Sequence, residues 1–159
     1  MLLRSPQWLF LYPGVILTVL GVSGAATLTI GPVQVPGIFT LDINALLYFS
    51  IAAVVGMQIT FFGLFALAFG RKMRLGITHG FTEKLLRLAS LEGAIAAGGL
   101  LVLVGLAGVL YAVLQWGHSS FGALVPSEMM RITIPSVTAL AVGTQIAFGG
   151  FLLGFIDIE

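Results

Sequence analysis

The sequence predicts an all-α, polytopic membrane protein whose four transmembrane helices form two tandem repeated hairpins. Of its 159 residues, 58% are hydrophobic and 8% are charged, and the mean hydropathy is +1.12. Charged residues make up about a quarter of a typical soluble domain. Four stretches are long enough to cross a hydrocarbon core of about 30 Å. One apolar pattern occurs twice, as GMQITFFGLF (56–65) and GTQIAFGGFL (143–152).

The whole chain, 1–159, is expected to be a single transmembrane domain with spanning helices over about 7–29, 45–69, 91–116 and 134–156. Ser5 and Pro6 suit the cap and the first position of helix one. Pro13 removes the hydrogen bond to the Leu9 carbonyl, which predicts a kink. The first helix is expected to be retained, because it is too long for a signal peptide and lacks a processing site.

The three segments that connect the predicted helices differ in composition. The first, 31–44, has two prolines and alternating apolar residues, which predict an extended segment followed by a cap at Asp42 or Asn44. The central segment starts with a basic cluster and continues into a short amphipathic helix over about 82–89. The third is polar, and we expect Pro135 to fall in the first turn of helix four.

The distribution of charge predicts the orientation. One side of the predicted topology carries six cations, Arg4, Arg71, Lys72, Arg74, Lys84 and Arg87, and the other side carries Arg131. The positive-inside bias therefore places both termini and the central basic loop in the cytoplasm. We expect a multi-pass protein of the bacterial cytoplasmic (inner) membrane. The formal net charge of +1 predicts no nucleic-acid partner.

An internal repeat is predicted by constant offsets between matching residues. Gln145 follows Gln58 by 87 residues, and an offset of 84 carries Gly14 to Gly98. Two-helix units in tandem have the same orientation, so the expected relation is a pseudo-twofold along the membrane normal.

Small residues recur at helical spacing in the first two helices. The predicted seams are Gly14, Leu17, Gly21, Gly24 and Leu28 in helix one, and Ala52, Gly56, Ile59, Gly63 and Ala66 in helix two. Such seams let helix backbones approach closely in lipid. Gln58 is rotated by over 100° from its seam. It is therefore expected to face a second neighbour or a cavity.

Three polar residues are candidates for helix–helix contacts. Gln58 and Gln145 suit interhelical hydrogen bonds, worth roughly 0.6 kcal/mol each, or the lining of a lipid or substrate path. Glu92 lies in the predicted first turn of helix three, where a carboxylate is favoured. Its own helix offers no cation at i±3 or i±4, so the alternative is that it organises the basic loop.

The basic cluster has two interpretations. It is a topology signal that contacts anionic lipid, at about 1 kcal/mol per charge, or a lipid-phosphate site. The residues of that site would be Arg71, Lys72, Arg74 and Arg87. No cofactor, metal site or catalytic residue is predicted, because the sequence has no catalytic triad, metal-binding motif or nucleotide fingerprint. His79 and His118 lie on opposite sides of the predicted membrane.

Four stretches of the sequence, taken in their order along the chain, resemble a known protein family. The stretches LLRSPQWLFLYPG, FTLDINALLYFSIAAVVGMQITFFGLFA, SLEGAIAAGGLLVLVGLAGVLYAVLQWG and SFGALVPSEMMRITIPSVTALAVGTQIAFGGFLLGF cover nearly the whole chain. Together they resemble the C-terminal membrane region of bacterial family-two glycosyltransferases of the polyprenyl (dolichol)-phosphate mannose or glucose synthase type. Such enzymes transfer a sugar from a nucleotide donor to a polyprenyl phosphate at the cytoplasmic face. The family's catalytic domain, which precedes its membrane region, is not among these 159 residues.

The resemblance implies anchoring, oligomerisation and presentation of the lipid phosphate, and it carries over no catalytic residue. The first hypothesis is therefore a membrane module of a polyprenyl-phosphate glycosyltransferase system that is not catalytic alone. Its expected partners are membrane lipid, polyprenyl phosphate, further copies of itself and a separate catalytic glycosyltransferase chain. The alternative is a non-catalytic accessory subunit packed against a larger membrane complex. A fragment, a split gene and a reused membrane module all fit the sequence.

Overall fold

A computed structural model describes residues 7–37, 39–73, 91–118 and 126–157. A π-helical turn, Gln7–Leu11, leads into α1 (Tyr12–Ile30), and the other helices are α2 (Ile43–Lys72), α3 (Leu91–His118) and α4 (Pro126–Asp157). By length and composition, each of the four can cross a membrane. The predicted all-helical, four-span fold class is confirmed. The amphipathic helix expected over 82–89 lies outside the described residues.

The first spanning helix departs from α-helical geometry at its start, close to the kink that was predicted at Pro13. The π-helical turn Gln7–Leu11 directly precedes Pro13, which occupies the first turn of α1. Proline has no N–H and its ring crowds the carbonyl four residues earlier, here that of Leu9. Short π-helical turns are among the known irregularities of helices at such points.

The segment between α1 and α2 forms a small β-hairpin. Its strands are β1 (Val33–Val35) and β2 (Phe39–Leu41), which pair antiparallel. Gly37 in the turn has a φ of 77°, a conformation that glycine adopts at no steric cost. The sequence predicted an extended segment but not its pairing. Asp42 precedes α2, and its carbonyl accepts a hydrogen bond from the Leu46 N–H at 3.0 Å.

Helix α4 begins earlier than the sequence suggested. It starts at Pro126 and carries Pro135 inside it, so the expectation that Pro135 lies in the first turn is wrong. Pro126 suits the first helical position because its missing N–H would have no partner there. Glu128 in the first turn is favoured by the helix N-terminus. Internal prolines are tolerated in transmembrane helices.

The helices pack as two hairpins joined by one helix pair. Helix α1 packs along α2 and α3 along α4, and the hairpins meet mainly through α2 and α4. At the end of the bundle that carries the β-hairpin, Ile134 of α4 packs against buried Leu28 and Leu46. At the opposite end, Leu153 of α4 joins buried Leu11 and Leu67. Helix α4 is therefore fixed to the first hairpin at both ends.

Close backbone approach holds the first hairpin together. A Cβ added at Gly14 would lie 2.7 Å from the Thr60 nitrogen, and one at Gly21 would lie 2.7 Å from the Phe49 carbonyl oxygen. No side chain fits at either position without separating the helices. The Thr60 hydroxyl donates to the Gly56 carbonyl at 2.8 Å, so this polar group is satisfied inside its own helix.

The seam predicted for α2 is shifted. Gly56 meets α1 and Gly63 meets Leu11 in the π-helical turn before it. The other contacts to α1 come from Ala53 and Thr60, while Ala66 is exposed. The prediction took Ala52, Ile59 and Ala66 as the neighbours of these two glycines in the seam. Thr60 adds little bulk toward α1 and keeps its hydroxyl bonded to its own backbone. It can therefore occupy a helix–helix contact position in the same way as the small residues of the seam.

The second hairpin makes close contacts at corresponding positions. A Cβ at Gly98 would lie 2.7 Å from the Ala147 nitrogen, and one at Gly105 would lie 2.7 Å from the Ser136 carbonyl oxygen. The glycines follow those of the first hairpin by 84 residues, and their partners follow by 87. Both hairpins are thus closed by the same backbone-to-backbone geometry.

Candidate functional site

The predicted lipid-phosphate residues lie at the end of α2. Lys72 is the last residue of α2, and its side chain is exposed. Arg71 belongs to the same turn, but its side chain, together with Arg74 and Arg87, falls outside what the structure describes. Glu92, in the first turn of α3, is also exposed. The phosphate site therefore stays a prediction.

The two repeated glutamines have different environments. Gln145 on α4 has its Oε1 atom buried, without a hydrogen-bond partner. Gln58 on α2 is exposed and forms no hydrogen bond to another described residue. Each follows a contact glycine, Gly56 or Gly143, by two residues. The interhelical hydrogen bonds predicted for these amides stay a prediction that a single copy of the chain does not test.

A groove runs between the two hairpins. It has a volume of about 380 Å³ and is lined almost entirely by apolar atoms. All four helices contribute to it, through residues such as Val22, Ala26, Met57, Leu101 and Ala139. It extends from the level of Thr29 near the β-hairpin end to Ile146. A surface of this kind accommodates a hydrocarbon chain, and its polar side chains are the three hydroxyl residues Thr29, Ser50 and Thr138.

A second depression lies on the other side of the α2–α4 contact. Its volume is about 330 Å³, and Ile51, Val55 and Val137 are among its lining residues. Ser50 and Thr138 border both depressions. Ser50 is only 3% exposed and its hydroxyl has no hydrogen-bond partner. The α2–α4 contact is therefore thin and has apolar space on both sides.

One charged residue connects the hairpins at the β-hairpin end. The Arg131 guanidinium donates to the Leu28 carbonyl oxygen at 2.6 Å and to the Asp42 carboxylate. The Leu28 carbonyl needs this donor, because the residue four positions later is Pro32, which has no N–H. A cation is also favoured near the C-terminal end of α1. From the sequence, Arg131 was interpreted only as a topology signal, and this role was not predicted.

Within the described ranges, no three His, Cys, Asp or Glu residues come together as they would to bind a metal ion. The arrangement of the described residues is that of a lipid-facing helical bundle with an apolar groove.

Comparison with known proteins decides the family. A model of the glycosyltransferase family 2 C-terminal transmembrane region matches residues 64–157, which is more than half of the chain. The chain belongs to this family. The match covers the C-terminal part of α2, from Leu64 onward, together with α3 and α4. The resemblance found in the sequence is thereby confirmed.

A relative is similar to this glycosyltransferase family 2 membrane region over nearly its whole length. The chain is 31% identical over 154 residues to the low-salt glycan biosynthesis hexosyltransferase Agl6 of Haloferax volcanii. The alignment covers 97% of this chain and 36% of the relative. The family 2 membrane region thus spans about a third of the relative's length. No solved structure matches it.

Proposed function

We propose that this chain is the membrane module of a polyprenyl-phosphate glycosyltransferase system. It anchors the system and presents the lipid phosphate to a catalytic domain. The observation that carries the proposal is membership of the glycosyltransferase family 2 membrane region. The similarity to a hexosyltransferase named for glycan biosynthesis supports it. These 159 residues contain no catalytic motif, so the module is proposed to work together with a catalytic part.

The head group of the lipid would dominate binding. A hydrocarbon chain gains little by moving from lipid into an apolar groove, since both surroundings are equally apolar. A cation near the membrane surface contributes about 1 kcal/mol toward an anionic lipid. Arg71, Lys72, Arg74 and Arg87 are the residues proposed to contact the phosphate. The 380 Å³ groove is proposed to guide the isoprenoid chain rather than to supply affinity.

The orientation follows from the same charges. We propose that both chain termini and the segment between α2 and α3 face the cytoplasm of the inner membrane. The β-hairpin and the Arg131–Asp42 pair then lie on the far side. The nucleotide donor of such a reaction is cytoplasmic, so this orientation puts the basic segment on the side where the sugar is transferred.

The two hairpins are proposed to be copies of one unit. The equal spacing of Gly14 and Gly98 supports this, as do the matched contacts of Gly21 and Gly105. A module of this kind has two similar halves, of which one carries the basic segment at its end. The alternative role, an accessory subunit of an unrelated membrane complex, lacks the support that the family match gives to the first role.

Lipid binding tests this proposal. The full chain is reconstituted in nanodiscs, and its affinity for a polyprenyl phosphate is measured by native mass spectrometry beside that for the matching polyprenol. The phosphate is expected to bind more tightly. The double variant Arg71→Ala with Arg74→Ala is expected to lose roughly ten- to thirtyfold in affinity for the phosphate lipid, and nothing for the polyprenol. Equal binding of both lipids would contradict the proposed function, and an unchanged double variant would remove the site assignment.

A further inference from the structure

We propose that one face of the β-hairpin between α1 and α2 binds the lipid surface of the membrane, at the boundary between hydrocarbon and water. The hairpin follows Ile30, where the α1 span ends, and precedes Ile43, where the α2 span begins. It is therefore held close to the membrane surface at both of its ends. The predicted phosphate site lies elsewhere in the chain, so the inference does not depend on the proposed function.

The pairing of the two strands gives the hairpin one apolar and one polar face. Val33 lies opposite Leu41, and Phe39 precedes Leu41 by two positions in the same strand. Residues directly opposite each other, and residues two apart in one strand, point to the same side of a sheet. Val33, Phe39 and Leu41 therefore form an apolar face. Gln34 lies opposite Thr40, and this polar pair points to the other side.

Leu41 shows which way the apolar face is directed. Its half-buried side chain packs against buried Leu28 and Leu46, at the end of the helical bundle. The apolar face is thus directed toward the spanning helices rather than away from them. The described helices nevertheless leave much of it uncovered, since Val33 is 40% exposed and Phe39 is 55% exposed.

Lipid is the partner that matches the uncovered part of this face. Ile30, the last residue of the α1 span, is 91% exposed, so the exposed apolar surface continues from the end of a span onto the hairpin. A hairpin of two strands is only marginally stable by itself in water. Removing its apolar face from water stabilises it. Continuity with a membrane span favours lipid over a soluble protein as the source of that cover.

Backbone groups limit how deep the hairpin can lie. In this two-stranded sheet, each strand has one edge that pairs with no other described strand. Edge N–H and C=O groups need hydrogen-bond partners, which water offers and hydrocarbon does not. The apolar face and the edges together therefore favour the interface. Phe39 would enter the boundary of the acyl chains, as aromatic residues of interfacial helices do, while Gln34 and Thr40 would face the water.

Spin labelling tests this orientation, and the chain is suited to it because it contains no cysteine. The single variants Val33→Cys, Gln34→Cys, Phe39→Cys and Thr40→Cys are labelled in the full chain and reconstituted in phospholipid vesicles. Collisions of each label with oxygen, which concentrates in lipid, and with a water-soluble nickel complex are then measured. The labels at Val33 and Phe39 are expected to have an oxygen-to-nickel collision ratio several times that of the labels at Gln34 and Thr40.

The polar positions are matched controls, because each lies next to an apolar position in the same strand. High nickel collision rates at all four labels would show that the hairpin stands in water, and would overturn the proposal. Low collision rates with both reagents at Val33 and Phe39 would show that protein covers the face, and would overturn it as well.

Fluorescence gives a second measurement that needs no label. Phe39→Trp is placed in a background with Trp8→Phe and Trp116→Phe, so that it is the single tryptophan of the chain. Lipids brominated near the head of the acyl chain are expected to quench its emission several times more than lipids brominated at the end of the chain. Absence of quenching by either lipid would contradict contact with the membrane surface.

Discussion

Arg131 and Asp42, 89 residues apart in sequence, form an ion pair that joins the two helical hairpins at one end of the bundle. The same guanidinium donates to the Leu28 carbonyl, which has no helical donor. The Arg131 side chain is 19% exposed, whereas that of Asp42 is 50% exposed. Exposed ion pairs contribute at most about 1 kcal/mol, while hydrogen bonds to a charged group contribute about 1.5–3 kcal/mol. The bond to the Leu28 carbonyl is therefore the larger contribution.

This ranking gives the first prediction. Arg131→Met is expected to lower the free energy of unfolding by about 2 kcal/mol, because it leaves the Leu28 carbonyl without a donor. Asp42→Asn is expected to cost less than about 1 kcal/mol, since it removes only the exposed ion pair. Unfolding by SDS in mixed micelles measures both. Glu128→Gln, an exposed change in the first turn of α4, is the control. If the Arg131→Met variant were as stable as this control, the proposed contribution of the Arg131–Leu28 hydrogen bond to stability would be refuted.

A second prediction concerns the close glycine contacts. Gly21→Ala and Gly105→Ala are each expected to destabilise the protein by about 1–3 kcal/mol, because the new methyl group meets backbone atoms of the facing helix. Gly99→Ala has open space around the new methyl group, and its helix propensity gain of up to about 1 kcal/mol makes it neutral or stabilising. Thermal unfolding in detergent compares the three.

The relation between Gly21→Ala and Gly105→Ala also tests the proposed repeat. If the hairpins are copies of one unit, the two losses are expected to agree to within about 1 kcal/mol. A loss at one glycine and none at the other would count against equivalent hairpins.

The orientation provides a third prediction. Gln34→Cys in the β-hairpin and Met73→Cys just after α2 are both exposed and lie at opposite ends of the bundle. With a membrane-impermeant maleimide on intact cells in which the outer membrane has been made permeable, Gln34→Cys is expected to react. Met73→Cys is expected to react only after the inner membrane is opened. The reverse pattern would invert the proposed topology and move the basic segment away from the cytoplasmic nucleotide donor.

The helical fold could be predicted from the sequence because length and hydropathy decide it. Four apolar stretches of sufficient length leave no other spanning structure, since lipid forces backbone groups to bond internally. The glycines of α1 also lie where the spacing predicted them, with Gly14 and Gly21 against α2. The start of α4 was misjudged because Pro135 looked like a boundary signal, while Pro126 was the actual one.

The contacts between the hairpins could not be predicted. The role of Arg131 depends on the orphan Leu28 carbonyl coming within 2.6 Å, which only the three-dimensional packing of α4 on α1 brings about. The phase of the α2 seam depended on Thr60 acting as a small contact residue. The exposure of Gln58 could not be predicted either. Sequence spacing shows that a side chain points away from a helix–helix seam, but it does not show whether another helix covers that side chain.

Purification from native membranes is the most direct test of the central claim that this chain serves a glycosyltransferase. A tag on the chain, extraction in a mild detergent and identification by mass spectrometry of every stoichiometric polypeptide would reveal its associations. We expect a family 2 catalytic domain, in the same polypeptide or in a separate chain, and hexosyl transfer to polyprenyl phosphate by the purified material. Stable stoichiometric association with subunits of an energy-converting or transport complex, with no glycosyltransferase among them, would contradict the account.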